Sequence, residues 1–585
     1  MMSTSTRQMT PKAQETNFVF VGGPVLTGKG TGIRSKVVQA GMREKRLQRR
    51  KDAVAEINQL LEGRTTACTC RTIATPLAPL PRHNQGQQPI KPRVWMVSKA
   101  QVGSVCCSFC GRYIRSYNAL HPSSSSSLYD IGSGLEPTIP VNETTSRLRV
   151  HEIFSFASRH VLPNLRGSLD LPDLYQTWAF PFDNDELKLF TFLWSSKRHE
   201  GVLRLAYNIP QDPAELKEEL VLKGLTLRAL RKEVTSYTEQ KAIDSIIRSM
   251  LVLAVNDTET ATQRLCREPS PFTPTFTGLH ALEFYGGRDY NRLHWENMYK
   301  LLQNHEGIQM LRPFALAWQI SVADLTNAAH TLRKPLYPMI DVYGQQLELD
   351  SPLVLFAPDT CDDLRKPGSG FNELLLMEQP VHQRLVSVFS HVGELSYAMD
   401  IISTQSHSPR LLELLADSRD LVHHRLFSLP NEDDAASQIL SLDGQSTRQE
   451  QFLELYLTCR LAVLLYATHV TFPIPRSSVV RSVLLQSLCP KLQFLADRGF
   501  LSPLFLWCTS VALVALDETG PFAEILGLFQ KVSRNLHITT LSSLLNLLHW
   551  FAWSDTAIQH HNSRMERYLS GNLSSLSGIK QEYLA

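Results

Sequence analysis

The sequence predicts an all-α protein, and three observations lead there. From residue 141 onward, segment after segment carries apolar residues at i, i+3, i+4 and i+7. Prolines fall between these segments, at Pro163, Pro210, Pro335, Pro430, Pro473 and Pro490. Alternating strand patterns are nearly absent, and no short repeat recurs. We expect a large multi-helical domain over 141–585, one body or two intimately packed ones. A basic helical arm and a linker without packed structure precede it.

Taken in order, residues 1–16 are polar and read as a disordered tail, with no apolar h-region of a secretory signal. Residues 17–64 hold a short β-prone "FVFV" (18–21), a glycine-rich turn and a helical stretch from about 33 to 61. Residues 65–140 are rich in Pro, Ser, Gln and Gly, including "TPLAPLPRHNQGQQPIKP" and a serine run at 123–127, which is linker composition.

The helical body follows. Its clearest segments are "SRLRVHEIFSFASRHVL", "PAELKEELVLKGLTLRALRKEV", "QKAIDSIIRSMLVLAV" and "LHWENMYKLLQNH". Then come "NELLLMEQPVHQRLVSVFSHVGELSYAMDII", "RLLELLADSRDLVHHRLFSL", "QFLELYLTCRLAVLLYATHV" and "LSSLLNLLHWFAWSDTAI". The longest uncharged run, 499–516, contains Pro503 and ends before Asp517, so a buried core helix is expected there and not a membrane span.

Across 585 residues, 43% are apolar and 20% charged, the composition of a chain with a sizeable core. The net charge of +3 is unevenly placed. Through Arg64 there are twelve Lys/Arg against five Asp/Glu, a net of +7, which leaves the remainder at −4. A basic arm on a mildly acidic body is the layout of a chain whose arm meets nucleic acid or an import receptor. Cys459, Cys489 and Cys508 lie in apolar helical runs and read as buried free thiols of a reducing compartment.

Candidate sites can be weighed one by one. Gly23 to Lys29 fits the G-x-x-x-x-G-K core of a phosphate loop. Gly30 stands where a hydroxyl must ligate magnesium, and Thr31 comes one residue late. "LVLFAPD", ending at Asp359, is the best second strand for such a fold, and a proline interrupts it. We therefore read the loop as a flexible turn. "CSFCG" (107–111) resembles half of a zinc site but has no partner half, so incidental thiols are expected there and at Cys68 and Cys70.

His423–His424 and His560–His561 are adjacent pairs, expected to point to different helix faces and to chelate poorly. "DNDE" (183–186) reads as a helix start. Trp194, Trp295, Trp318, Trp507, Trp550 and Trp553 read as core. No catalytic constellation, cofactor motif or metal set emerges. The remaining candidate is the basic helix, with Arg43, Lys45, Arg46, Arg49, Arg50 and Lys51 set against Glu44 alone. Lys45 with Arg49, and Arg46 with Arg50, are i,i+4 neighbours. Such a surface can engage phosphate or serve as an import signal through "REKRLQRRK"; a merely solvated face is the bland alternative.

Several stretches together resemble the fungal-specific transcription factor domain proteins, in the branch often labelled tachykinin family. "FVFV" followed by the basic helix is similar to the family's opening. "LHWENMYKLLQNHEGIQML" with "WQISVADLTNAA" (293–329) and "DLVHHRLFSLP" (420–430) resemble family helices. So do "CRLAVLLYATHVTFPIP" (459–475) and "LLNLLHWFAWSD" (544–555). The resemblance covers the N-terminal segment and nearly everything from 141 on. It departs from the zinc-cluster members, because the six-cysteine binuclear cluster has no counterpart here.

The resemblance implies a nuclear, non-enzymatic transcriptional regulator, often of metabolic (secondary-metabolite) gene clusters. Its implied partners are an import receptor, transcriptional co-regulators and DNA through the basic helix, with no membrane. A helical interaction scaffold that never touches DNA is the rival class, and a nucleotide hydrolase comes third.

Overall fold

A computed structural model describes residues 186–570 apart from breaks at 207–208, 211, 238–242, 258–266, 306, 314, 358–365, 405–406 and 442–447. It also describes pieces at 105–106, 113–114, 152–153, 156–161 and 165. The described part is all-α. It holds sixteen α-helices, and its only pairings outside helices are Val105–Cys106 with Tyr113–Ile114 and two single bridges.

The longer helices are α1 (Glu186–Ala206), α2 (Pro213–Thr235), α3 (Asp244–Asn256), α4 (Arg292–Asn304) and α5 (Leu316–Thr331). After them come α6 (Gln383–Ser403), α7 (Pro409–Phe427), α8 (Gln449–His469), α9 (Ser478–Asp497) and α10 (Pro503–Leu516). The last are α11 (Phe522–Asn535), α12 (Leu541–Leu548) and α13 (Asn562–Ser570).

Local chemistry sets many starts. Helices α2, α7 and α10 each open on a capping side chain followed by proline at the first helical position. Asp212 Oδ1 accepts from the Ala214 N–H, Ser408 Oγ from Leu411, and Ser502 Oγ from Phe505. A proline there gives up a donor that has no intrahelical partner anyway, while the cap satisfies another. Thr540 and Ser543 form a reciprocal box at the start of α12.

Two apolar cores result. The first is built from α1, α3 and α4 around Trp194, Ile247, Met298 and Leu302. The second surrounds α8 and α10, which are buried on every side. At its centre Trp507 donates to the Ala552 carbonyl at 2.9 Å and meets Phe371 edge-on. Helix α5 belongs to both: Leu316, Ala317 and Ile320 join the first core, Leu325 and Ala329 the second. Cys459, Cys489 and Cys508 are buried free thiols. No described helix is long and apolar enough to cross a membrane.

Several expectations need correction. Pro490 does not separate helices; it lies inside α9. Its position is exposed, as is Gln486 four residues earlier, so the carbonyl deprived of its donor faces solvent. The stretch 372–402 is not continuously helical: a 3₁₀ turn, Ser369–Leu375, gives way to irregular backbone before α6. Pro380 accounts for the break, since it cannot donate and pushes the preceding residue out of helical geometry. "LSSLLNLLHWFAWSDTAI" is likewise two helices with a turn between them. "LVLF" is the helical turn Pro352–Phe356, not a strand.

Candidate functional site

Where the two cores meet, the structure leaves a cavity of about 150 Å³ between α1, α3 and α5. Trp318, Tyr285, Leu251, Val255 and Val322 are among its lining residues. Lys188 of α1 and Arg248 of α3 line it as half-buried cations, and Arg419 of α7 is a further lining residue.

The turn that closes the cavity is strained. His280 and Ala281 are consecutive residues in the left-handed region, at φ 49° and 53°. Left-handed non-glycine residues cost on the order of 1 kcal/mol or more each and persist only where surroundings hold them. Here the surroundings do. His280 Nδ1 lies 2.7 Å from Asp420 Oδ2, and Arg419 Nη1 donates to the Leu279 carbonyl at 3.3 Å. The imidazole meets Trp318 edge-on at 5.1 Å.

Asp420 is the hub. Burial pushes its carboxyl up, but the Arg419 guanidinium and His280 outweigh that and hold it at about 2. It is therefore ionised and can only accept, so the His280 proton sits on Nδ1. Arg419 Nε donates to Asp420 Oδ1 at 2.8 Å, and its guanidinium lies 5.0 Å from the Phe472 ring centre. His280 Nε2 has no hydrogen-bond partner and lies 3.8 Å from Asp417 Oδ1.

Most polar groups inside the cavity are already bonded to the protein. Tyr290 Oη donates to the Ala323 carbonyl, Thr326 Oγ1 to Val322 and Ser195 Oγ to Phe192. Asn256 Oδ1 accepts from Arg288 Nη1 at 2.6 Å. Arg288 in turn lies 4.0 Å over Phe284, which also stacks with His199 at 3.7 Å and meets Tyr285 edge-on at 4.7 Å. Burial, then the Arg288 charge, lowers His199 to about 3, and burial lowers Arg288 to about 10.

A wider groove of about 690 Å³ lies beyond Tyr290. Three of its charged side chains are paired: Arg476 with Asp289 at 3.2 Å, Lys334 with Asp434 at 2.7 Å, Arg292 with Glu296 at 2.5 Å.

Arg43, Lys45, Arg46, Arg49, Arg50 and Lys51 lie outside the described residues, as do the glycine loop at 23–31 and the Cys68–Cys70 pair. Five of the six tryptophans read as core are buried, and Trp550 packs partly buried against the second core. His423 and His424 diverge as expected. His423 donates from Nδ1 to the Arg419 carbonyl and accepts the Thr471 hydroxyl at Nε2, whereas His424 meets the Tyr337 carbonyl.

The other pair does not diverge. His560 and His561 both place Nε2 on the Pro271 carbonyl, at 2.9 and 2.6 Å, because they sit in a 3₁₀ turn and not on an α-helix. Both Nε2 atoms must carry protons to do so. Among the described residues no cluster of three or more His, Cys, Asp or Glu has metal-binding geometry. The cavity itself was not foreseen. Its parts come from residues up to 262 positions apart, such as Ala157 and Arg419, and no local pattern announces it.

Comparison of the chain with protein-family models, with curated proteins and with solved structures finds no match in any of the three.

Proposed function

We propose that the protein is a non-enzymatic transcriptional regulator acting in the nucleus, with the helical body as its regulatory part. The observation that carries the reading is the separation of charge along the chain. Eight Lys/Arg against one Glu are concentrated in residues 34–51, and the body has a net negative balance. A dense cationic helix engages phosphate or an import receptor, and an acidic body does not compete for the same polyanion. The all-α architecture agrees with the resemblance to fungal transcription factor domains, and regulation of a metabolic (secondary-metabolite) gene cluster is the role that resemblance implies. DNA contact through Arg43, Lys45, Arg46, Arg49, Arg50 and Lys51 is part of the proposal. Co-regulators would dock on the body.

The test is to neutralise Arg46, Arg49, Arg50 and Lys51 together in the full-length chain. Nuclear import should fail, and each lost phosphate contact should flatten the slope of log K against log salt by about 0.9. Fusing a strong heterologous import signal then separates two roles. Rescue of target-gene expression assigns the helix as an address, and continued failure assigns it to DNA contact. If the unfused variant enters the nucleus and regulates normally, the helix is only a solvated face. A body that works without touching DNA would instead be the helical scaffold.

A further inference from the structure

We infer that the cavity between the two cores binds a small neutral molecule of the phenol class, one aromatic ring carrying one hydroxyl. The inference goes beyond the regulator reading and rests on the cavity alone.

Size comes first. A cavity of about 150 Å³ holds a single benzene-sized ring. Trp318, Tyr285, Phe192 and Tyr290 bring aromatic rings to its lining, and Leu251 and Val322 add aliphatic surface.

Charge comes second, and it excludes ions. No lining residue is Asp or Glu, so a cation would meet no carboxylate. Arg419 is held by Asp420 through bonds of 2.8 and 2.7 Å. Lys188 and Arg248 both engage other groups of the protein, and Arg248 interacts with Asp244 one turn earlier on α3. An anion would have to take a cation from its partner, and a charge left uncompensated in such a site is costly. A neutral ligand disturbs none of these pairs.

Hydrogen-bonding capacity comes third, and it narrows the class. The hydroxyls of Ser195, Tyr290 and Thr326 donate to backbone carbonyls, and Thr191 pairs with Ser249. Asn256 is engaged at both ends, by Arg288 and by the Val252 carbonyl. Among the described residues, three lining side chains keep unspent polar groups: the Ser196 hydroxyl on α1, the Tyr285 hydroxyl and the Gln319 carboxamide on α5. All three are neutral. Ser196 is 3% exposed, so bulk water does not satisfy it. Burial holds the Tyr285 phenol above its ordinary range despite Arg288, so its O–H stays able to donate. A ligand hydroxyl accepts from one such group and donates to another, recovering bonds the fold leaves unmade. A plain hydrocarbon would leave them unmade, and a sugar would find too few partners for its further hydroxyls. A phenol satisfies all three constraints.

The experiment uses the purified full-length chain at neutral pH and four single-ring probes: phenol, toluene, benzoate and benzylamine. Calorimetric titration and thermal unfolding should show saturable binding and a raised Tm with phenol. Toluene should bind about fivefold more weakly, the loss of roughly one hydrogen bond, and the two ions weaker than phenol by about tenfold or more. Ser196→Ala with Tyr285→Phe and Gln319→Met removes the unspent groups without breaking a hydrogen bond of the fold. It should bring phenol down to toluene's affinity and leave toluene unchanged. Val252→Trp, which fills the cavity from a half-buried lining position, should abolish binding of both. Far-UV spectra check that the variants fold, and the four-probe series on the unaltered chain decides the matter if one does not. No saturable phenol binding, or toluene or either ion binding as tightly as phenol, overturns the inference. So does a folded triple variant that keeps the full preference for phenol. Each of these results leaves the regulator reading untouched, because that is measured by import and gene expression.

Discussion

Nδ1 of His280 lies 2.7 Å from Oδ2 of Asp420, a bond that ties a left-handed turn to α7 across 140 residues of chain. With Arg419 it forms a triad that is almost wholly buried: the Arg419 and Asp420 side chains are each 1% exposed. Asp420→Ala should therefore strand a guanidinium in the interior and release the strained turn. We expect a loss of about 3–5 kcal/mol in urea unfolding, the usual result of removing one partner from a buried pair. Replacing both partners, Arg419→Met with Asp420→Leu, should recover most of that loss. A single-variant loss under about 1 kcal/mol would show that the triad does not hold the turn.

Packing of α6 supplies the second prediction. A Cβ on Gly393 would stand 2.7 Å from Gly368 Cα and 2.7 Å from the Phe551 carbonyl oxygen. Both are backbone atoms, so neither yields by a rotamer change. Gly393→Ala should cost on the order of 3 kcal/mol. Gly224, inside α2, has open space where its Cβ would be, and Gly224→Ala should instead gain about 0.5–1 kcal/mol. Denaturant midpoints of the two variants should move in opposite directions.

Acid should destabilise the body through its buried histidines. Burial lowers His199 and His469 to about 3 and His391 and His423 to about 4. In the unfolded chain these groups take up protons below about 6.5, whereas the folded protein refuses them until pH 4 or 3. Their contribution is thus complete above pH 6.5 and declines as pH falls, by up to about 1.4 kcal/mol per unit for each group.

Asp324 opposes them, because burial raises its carboxyl to about 6, and its contribution is lost as pH rises from 3.8 through 6. Burial raises Asp244, Glu373 and Glu394 in the same sense, and it lowers His294, His330, His424 and His561 as well, so the histidines outnumber the opposing carboxyls. The urea midpoint should be highest near neutrality and fall between pH 6 and 4, with a shallower fall in His469→Gln. A midpoint that holds or rises on acidification would contradict this.

Much of the architecture could be read from the sequence, for a physical reason. Helices α2, α7 and α8 and the buried α10 are long and strongly apolar or periodic, and three of the four begin at a capping residue followed by proline. Those signals are local, and packing reinforces them. The failures were non-local. Pro490 is tolerated within α9 because its helix face meets solvent, a property of the assembled fold. His560 and His561 converge because a 3₁₀ turn replaces the expected α-helix, and the His280–Asp420 bond joins parts of the chain that share no pattern. The cavity follows from how α1, α3 and α5 cross, which no periodicity records.

The glycine loop at 23–31 gives a prediction of no effect. Gly30 occupies the position where a magnesium-ligating hydroxyl is required, so Lys29→Ala should change neither stability nor function. A true phosphate-loop lysine would carry about a hundredfold or more in activity. Calorimetry with ATP and GTP on the full-length chain checks this, and an affinity lost in the variant would revive the nucleotide hydrolase.

The account's central claim is that the chain acts at genes through its basic arm, and genome-wide chromatin occupancy of the tagged full-length protein tests it most directly. We predict discrete enrichment at a limited set of promoters, lost when Arg46, Arg49, Arg50 and Lys51 are neutralised together. A protein that stays outside the nucleus, or that enters it and occupies no promoter above background, would contradict the claim.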